Sequence, residues 1–193
     1  MKPLAIAAGL SLLLASCTSA PPKQITLEER LQNPLFAEQY GDLLVESLVE
    51  LEIQNDPLLE DTGKKDRADD ARREALDIAK EATKKQRDGT IGNFVPVAEF
   101  AKGEVLYLEN TLYFGPTFEV VPGPDLWIYL TTLVDPRETA FPDETSIEVA
   151  GLESPYGDQW YPVKNIEDPL LYRTVVLFDR DLERIHGFAQ LSK

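Results

Sequence analysis

The sequence predicts an α+β protein, an N-terminal αα-hairpin followed by an antiparallel β-sandwich. Three observations carry this. Apolar residues recur at steps of three and four between positions 24 and 89, then at every second position from Gly103 onward, so the period changes once along the chain. The alternating half is punctuated at sandwich spacing by Gly115-Pro116, Pro122-Gly123-Pro124, Asp135-Pro136, Pro142-Asp143, Pro155-Tyr156-Gly157 and Asp168-Pro169. Within it, Leu126, Ile128 and Leu130 alternate with Trp127 and Tyr129, so both faces of that segment are apolar and it belongs inside a sheet.

Residues 1–16 contain one base, Lys2, and an apolar run too short to span a bilayer, the layout of an export signal. The run ends in Leu14-Ala15-Ser16-Cys17, which resembles the bacterial lipobox, in which cleavage before the cysteine follows acylation of its thiol. Cys17 is the only cysteine and stands where cleavage would expose it. Residues 17–25, small and Pro-rich, are expected to form a lipid-anchored tether. By resemblance to other lipoproteins, Thr18 in place of an Asp after the cysteine implies the outer membrane where a cell has one. Several acyl chains suffice for stable attachment, where a single chain does not. The expected partners are therefore the membrane, through lipid on Cys17, and an envelope protein or surface ligand.

Residues 26–89 read as the helical hairpin. Thr26 and Glu29 have capping-box spacing, and Asn33-Pro34 ends the short first helix and opens the next. Leu35, Phe36, Tyr40, Leu43, Leu44, Leu48 and Leu51 then form a broad apolar stripe that stops near Asn55-Asp56-Pro57. After a polar reversal, Ala68, Ala71, Ala75, Ile78, Ala79 and Ala82 mark a small-residue stripe on a charged helix ending at Asp88-Gly89. The alanines allow close approach to the leucine-rich helix. Residues 90–102 are expected to be a connector whose Phe94, Val95, Val97 and Phe100 dock the hairpin onto the sheet. Candidate strands follow at 105–108, 111–114, 118–121, 126–133, 147–149, 159–163, 174–178 and 185–191, making 103–193 the β unit.

The chain of 193 residues carries a formal charge of −15, and loss of 1–16 removes one lysine and no acid, leaving −16. That balance excludes nucleic acid, whose phosphates demand a basic footprint, and excludes electrostatic attraction to anionic lipid. With Cys17 acylated and Met1 removed, the mature chain has no free thiol, no methionine and one histidine. Thiolate clusters, His/Met haem and blue-copper sites lack their ligands; ligand count leaves flavin, a one-histidine haem and an aromatic relay open, but none has a signal in the sequence, so no cofactor is expected.

Four segments carry a family resemblance. They are Gly123-Pro124-Asp125-Leu126-Trp127-Ile128-Tyr129-Leu130, Gly157-Asp158-Gln159 with Tyr161, Tyr172-Arg173-Thr174-Val175-Val176-Leu177, and Gly187-Phe188-Ala189 with Leu191. In order and spacing, over 103–191, they resemble the successive motifs of the DM-thirteen domain family. The resemblance implies a small β-sandwich in an exported or membrane-attached protein, and an electron-transfer role proposed partly on a cysteine after the Val-Val strand. In this chain that position is Asp179, preceded by Phe178. The expected function is therefore a non-catalytic binding or assembly module, with redox transfer as the alternative.

Other residues have ordinary readings. His186 is expected to be a packed or half-exposed ring rather than a haem or metal ligand. No serine sits in a nucleophile elbow and no Gly-rich phosphate loop occurs, so no catalytic residue is assigned. Asp135, Asp143, Glu144 and Glu148 read as a solvated acidic rim, their spacing fitting no calcium loop. Asp158 and Gln159 are expected to satisfy backbone N–H groups in a Gly-led turn, and the aromatics Trp127, Tyr129, Trp160, Tyr161 and Tyr172 to serve the core and its girdle.

Overall fold

A computed structural model describes residues 25–164, 166 and 168–193; the signal segment, Cys17 and most of the tether lie outside them. The first helix, α1 (Leu27–Arg30), is capped by Thr26, whose hydroxyl accepts from the Glu29 N–H while the Glu29 carboxylate accepts from the Thr26 N–H. Asn33 caps α2 (Pro34–Ile53), and Pro34 supplies the fixed φ of its first turn. A 3₁₀ turn at Pro57–Glu60 and the cap Asp61 lead into α3 (Thr62–Asp88). The two long helices meet where a Cβ on Gly41 would lie 2.6 Å from the Ala75 carbonyl and 2.9 Å from the Ala79 Cβ, so the buried stripe Ala75, Ala79 and Ala82 brings α3 close to α2.

Among the described residues ten strands follow: β1 (Thr90–Pro96), β2 (Ala101–Lys102), β3 (Glu104–Leu108), β4 (Thr111–Phe114), β5 (Glu119–Val120), β6 (Leu126–Thr131), β7 (Ile147–Gly151), β8 (Gln159–Pro162), β9 (Thr174–Asp179) and β10 (Arg184–Gln190). Eight of them form one antiparallel sheet in the order β7-β6-β9-β10-β1-β3-β4-β8, and β2 pairs with β5 beside it. The edge strands β7 and β8 approach one another, so the sheet curls into a nearly closed barrel whose halves face each other as the layers of a sandwich would. The α+β class holds.

The expected connector at 90–102 is corrected: it contains β1, which lies between β10 and β3 in the middle of the sheet. Its apolar alternation is masked because Gly92 occupies an inward position. A Cβ there would run into the Gln190 carbonyl, so only glycine lets β1 and β10 close up. Of the four residues expected to dock, Phe94 is buried in the barrel core against Phe114 and Phe118, whereas Val95, Val97 and Phe100 are exposed.

Three apolar layers organise the fold. The barrel interior is filled by Val105, Leu112, Phe114, Phe118, Ile128, Leu130, Val175 and Leu177 among others. On the outer face, Leu106 and Leu108 of β3 are covered by Leu35 of α2, which is why β3 is apolar on both sides. Beyond β6, β9 and β10, the loop after β6 lays Phe141 against Tyr129 and Phe178 and the Arg137 guanidinium over Phe188. Among the described residues, polar contacts fasten hairpin to barrel at both helices: Lys193 donates to the Asp88 carbonyl at the end of α3 at 2.7 Å, and two more sets lie at the start of α2 and on α1. The buried Asn33 accepts from the Leu35 N–H and donates to the Phe114 carbonyl at 2.8 Å, and the Arg30 guanidinium pairs through two bonds with the nearly buried Asp158.

Candidate functional site

The period of β9 determines what faces the barrel interior. Val175 and Leu177 point inward, Val176 and Phe178 outward, and the next inward position is Asp179, a carboxylate with no exposed surface. On the neighbouring strand, Ile185 pairs with Phe178 but Gly187 pairs with Leu177, so His186 is the extra residue of a β-bulge. The bulge re-aims its ring. His186 is buried to 1 % exposure, with Nε2 3.9 Å from Asp179 Oδ2.

The hydrogen-bond pattern fixes much of the chemistry. His186 Nδ1 lies 3.0 Å from the Val121 carbonyl, which can only accept, so Nδ1 carries a hydrogen. Asp179 Oδ1 accepts from the Leu182 N–H at 2.9 Å in the turn to β10. Asp179 Oδ2 and His186 Nε2 are buried without a hydrogen-bond partner, each facing the other beyond bonding distance. A buried polar atom left unpaired costs about 1–3 kcal/mol, so this pair is locally destabilising within an otherwise apolar interior.

The segment 121–125 closes over the pair. A Cβ on Gly123 would overlap Asp179 Oδ2 and fall 3.2 Å from the His186 ring, so the backbone of Gly123 rests on both side chains. The segment is pinned at each end. Val121 N–H donates to the Phe100 carbonyl, and the Asp125 carbonyl accepts from Arg180 N–H, each at 3.0 Å. The Asp125 carboxylate accepts from Arg180 Nε and Trp127 Nε1, both at 2.8 Å, and these bonds hold its pKa below the ordinary value. The Arg180 guanidinium lies 3.7 Å over the Trp127 ring. Beside it, Tyr129 donates to Glu148 at 3.0 Å, and burial, helped by that bond, pushes its phenol up to about 12.

The motif positions thus divide. Gly123, Pro124, Asp125, Asp179 and Gly187 gather at this barrel mouth with His186. At Gly187, a Cβ would meet the Ala101 Cβ at 2.6 Å. The others hold structure elsewhere. Gly157 adopts a φ of +85°, which suits glycine, and Asp158 binds Arg30 rather than the expected backbone N–H groups, because the preceding helix reaches across to it. Gln159 ties down the 154–157 loop: its Nε2 donates to the Ser154 carbonyl at 2.9 Å and its Oε1 accepts from the Ser154 N–H. Tyr161 donates to Gln159 and accepts from the Glu153 N–H, and burial raises its pKa. Tyr172 packs against the core, and the Arg173 backbone bridges Thr131 and Leu191.

The acidic rim has no common centre. Asp135 is held by Arg137, which lowers its pKa to about 2, and Glu148 by Tyr129, while Glu144 is exposed. Asp143 accepts from Thr131, Thr145 and Ser146; burial opposes its charge, but those bonds outweigh it and leave the pKa lowered. Among the described residues no three His, Cys, Asp or Glu side chains converge as metal ligands, and no helix is long and apolar enough to cross a membrane.

Sequence reasoning names Asp179 and His186 separately and misses their meeting. The parity of Val175, Leu177 and Asp179 is the available signal for the carboxylate. The bulge that turns His186 inward has no comparable mark beyond Gly187. No protein-family model matches the chain, and comparison with curated proteins and with solved structures finds no match either.

Proposed function

We propose that this is a lipid-anchored bacterial cell-envelope protein whose β-barrel, of DM-thirteen-like type, acts as a non-catalytic binding or assembly module. The observation that carries the reading is the closed barrel mouth. At the position where the resemblance implies a cysteine, the carboxylate of Asp179 is buried beneath Gly123, and the covering segment is fastened at Val121 and Asp125. A reacting group needs access to its substrate and an activating neighbour. Here Asp179 is sealed, the titratable group facing it is His186, and neither is hydrogen-bonded to a hydroxyl or thiol among the described residues. The lipobox ending at Cys17 supports attachment by acyl chains, and the acidity supports a protein or neutral ligand over nucleic acid or anionic lipid.

Electron transfer is the second reading. The specific observation in its favour is that a titratable pair stands where the resemblance implies a redox thiol. Two measurements on native protein purified anaerobically from membranes separate the readings. The binding-module reading expects no visible absorption band and no reversible wave in the physiological potential range. A stoichiometric band that bleaches on reduction and disappears in His186→Ala would replace it with the redox reading.

A further inference from the structure

Asp179 and His186 meet as acceptor against acceptor. The Val121 carbonyl takes the hydrogen on His186 Nδ1, so in the neutral ring Nε2 carries only a lone pair, and that lone pair faces Oδ2 of the carboxylate at 3.9 Å. Both side chains are almost wholly buried, and these two atoms are the buried side-chain polar atoms left without a partner among the described residues. One hydrogen placed between them changes this. It turns the contact into a charge-assisted hydrogen bond, and it cancels the net charge of a site that has no solvent to carry it.

The surroundings supply no substitute for that hydrogen. On the 121–125 segment Asp125 is held by Arg180, which in turn lies over Trp127. In the loop before β2, Glu99 is held by Arg184 of β10, and Lys102 of β2 is held by Glu119 of β5. Asp181 and Glu183, in the turn before β10, are exposed, and β1 and β6 carry no charged side chain.

The pair is tied to the surface by the chain that covers it. His186 Nδ1 holds the Val121 carbonyl, the Gly123 backbone lies against Oδ2 and the ring, and Asp179 Oδ1 holds the Leu182 N–H in the turn. Outside, Val121, Pro122 and Pro124 are exposed, as is Phe100, whose carbonyl accepts from the Val121 N–H. Closing the gap to hydrogen-bonding distance, a shift of about 1 Å, therefore draws the ring and the segment fastened to it toward β9.

We propose that Asp179 and His186 form a proton-binding site, shared by the pair rather than owned by either residue, that latches the 121–125 segment onto the barrel mouth as pH falls. The proton comes from solvent and returns to it. With it bound, a hydrogen joins Nε2 to Oδ2 and the segment is held. As pH rises and the proton leaves, two acceptors face each other again, and the segment and the 180–183 turn loosen. The latch works whether or not the barrel binds a ligand.

His186 is the only histidine, so in the full chain labelled with ¹⁵N-histidine its ring nitrogens give unambiguous NMR signals. Between about pH 9 and pH 5, which brackets the ordinary charge change of imidazole, Nδ1 should keep its hydrogen while Nε2 leaves its bare position in a single step. Hydrogen-exchange protection of the Val121, Arg180 and Leu182 amides, corrected for the intrinsic effect of pH, should rise about fivefold or more across that step. Asp179→Asn offers Nε2 an amide hydrogen, so the ring should stay neutral at a pH where the parent has taken up its proton, and the step in protection should vanish. Four results would each overturn the proposal: a ring unchanged across the range, Nδ1 bare at high pH, protection without a step, or an unaltered step in Asp179→Asn.

Discussion

Replacing Asp179 by asparagine is the sharpest probe of the barrel mouth, because it changes the charge and donor pattern while keeping the shape. Asp179 Oδ1 accepts from Leu182, and the side-chain carbonyl of an asparagine would retain that acceptor. Oδ2 faces His186 Nε2 across 3.9 Å, and those two atoms can bond only if one carries a hydrogen; an amide nitrogen supplies one to a neutral ring. Once the amide closes that gap by about half an ångström, the hydrogen bond gained on that side, set against a charged acceptor made neutral on the other, should leave stability within about 1 kcal/mol of the parent. His186→Phe is different. It strips the buried Val121 carbonyl of its donor and sets an apolar ring against the Asp179 carboxylate, a loss of about 1–3 kcal/mol. The assay is urea unfolding followed by the fluorescence of Trp127 and Trp160, with m compared among variants so that a changed unfolded state is not mistaken for a changed fold. If Asp179→Asn proves as costly as His186→Phe, the net charge of the pair governs this mouth and the hydrogen-bonding argument fails.

Four further outcomes are expected. Asn33→Ala should cost about 2–4 kcal/mol, from the lost cap on α2 and the stranded Phe114 carbonyl, and helix ellipticity and tryptophan fluorescence should still change in one transition; separate transitions would refute the coupling. A fragment of residues 90–193 should fold as a β-rich unit, whereas 103–193, deprived of the strand between β10 and β3, should not; a cooperative β spectrum from the shorter piece would contradict the assignment of β1. The lowered pKa of Asp143 means that its contribution is present above the ordinary value of 3.8 and is lost as pH falls through the folded value, so amide exchange at Leu133 and Thr145 should quicken below about pH 4; exchange that ignores acid, or Asp143→Asn that leaves it unchanged at neutral pH, would count against that anchor. Cys17→Ser should abolish acylation and shift the protein out of the detergent phase, and normal processing with retention in detergent would end the lipoprotein reading.

Most of the fold is legible because its determinants are local. Thr26 with Glu29, Asn33 with Pro34, and Gly89 after Asp88 mark helix ends by chemistry confined to a few residues. The strand at 126–131 announces itself by apolar residues on both faces, and lies where that demands, between β7 and β9. What stays hidden depends on distant partners. Gly92, Asn93 and Pro96 make β1 look like a connector until Gln190 is seen pressed against Gly92. Asp158 reads as a turn residue because its partner, Arg30, lies far away in sequence, on a helix of a single turn. The mouth of the barrel is half visible: a strand's parity places Asp179 inside, but no pattern in the sequence forecasts the bulge that brings His186 to it.

The position of β1 also sets the order in which this chain can become a structure. Its two neighbours are β3, a few residues away, and β10, whose pairing joins Phe94 to Ala189 and Val95 to Phe188 near the very end of the chain. While the ribosome is still adding the last strand, β1 has one side unpaired, β9 lacks the strand that joins it to β1, and the interior has no wall there. The hairpin can form early, from local contacts alone, but the barrel must wait for its final residues. Until β10 has been made, the β half therefore lacks the strand that joins its two flanks, however much of the hairpin has already formed.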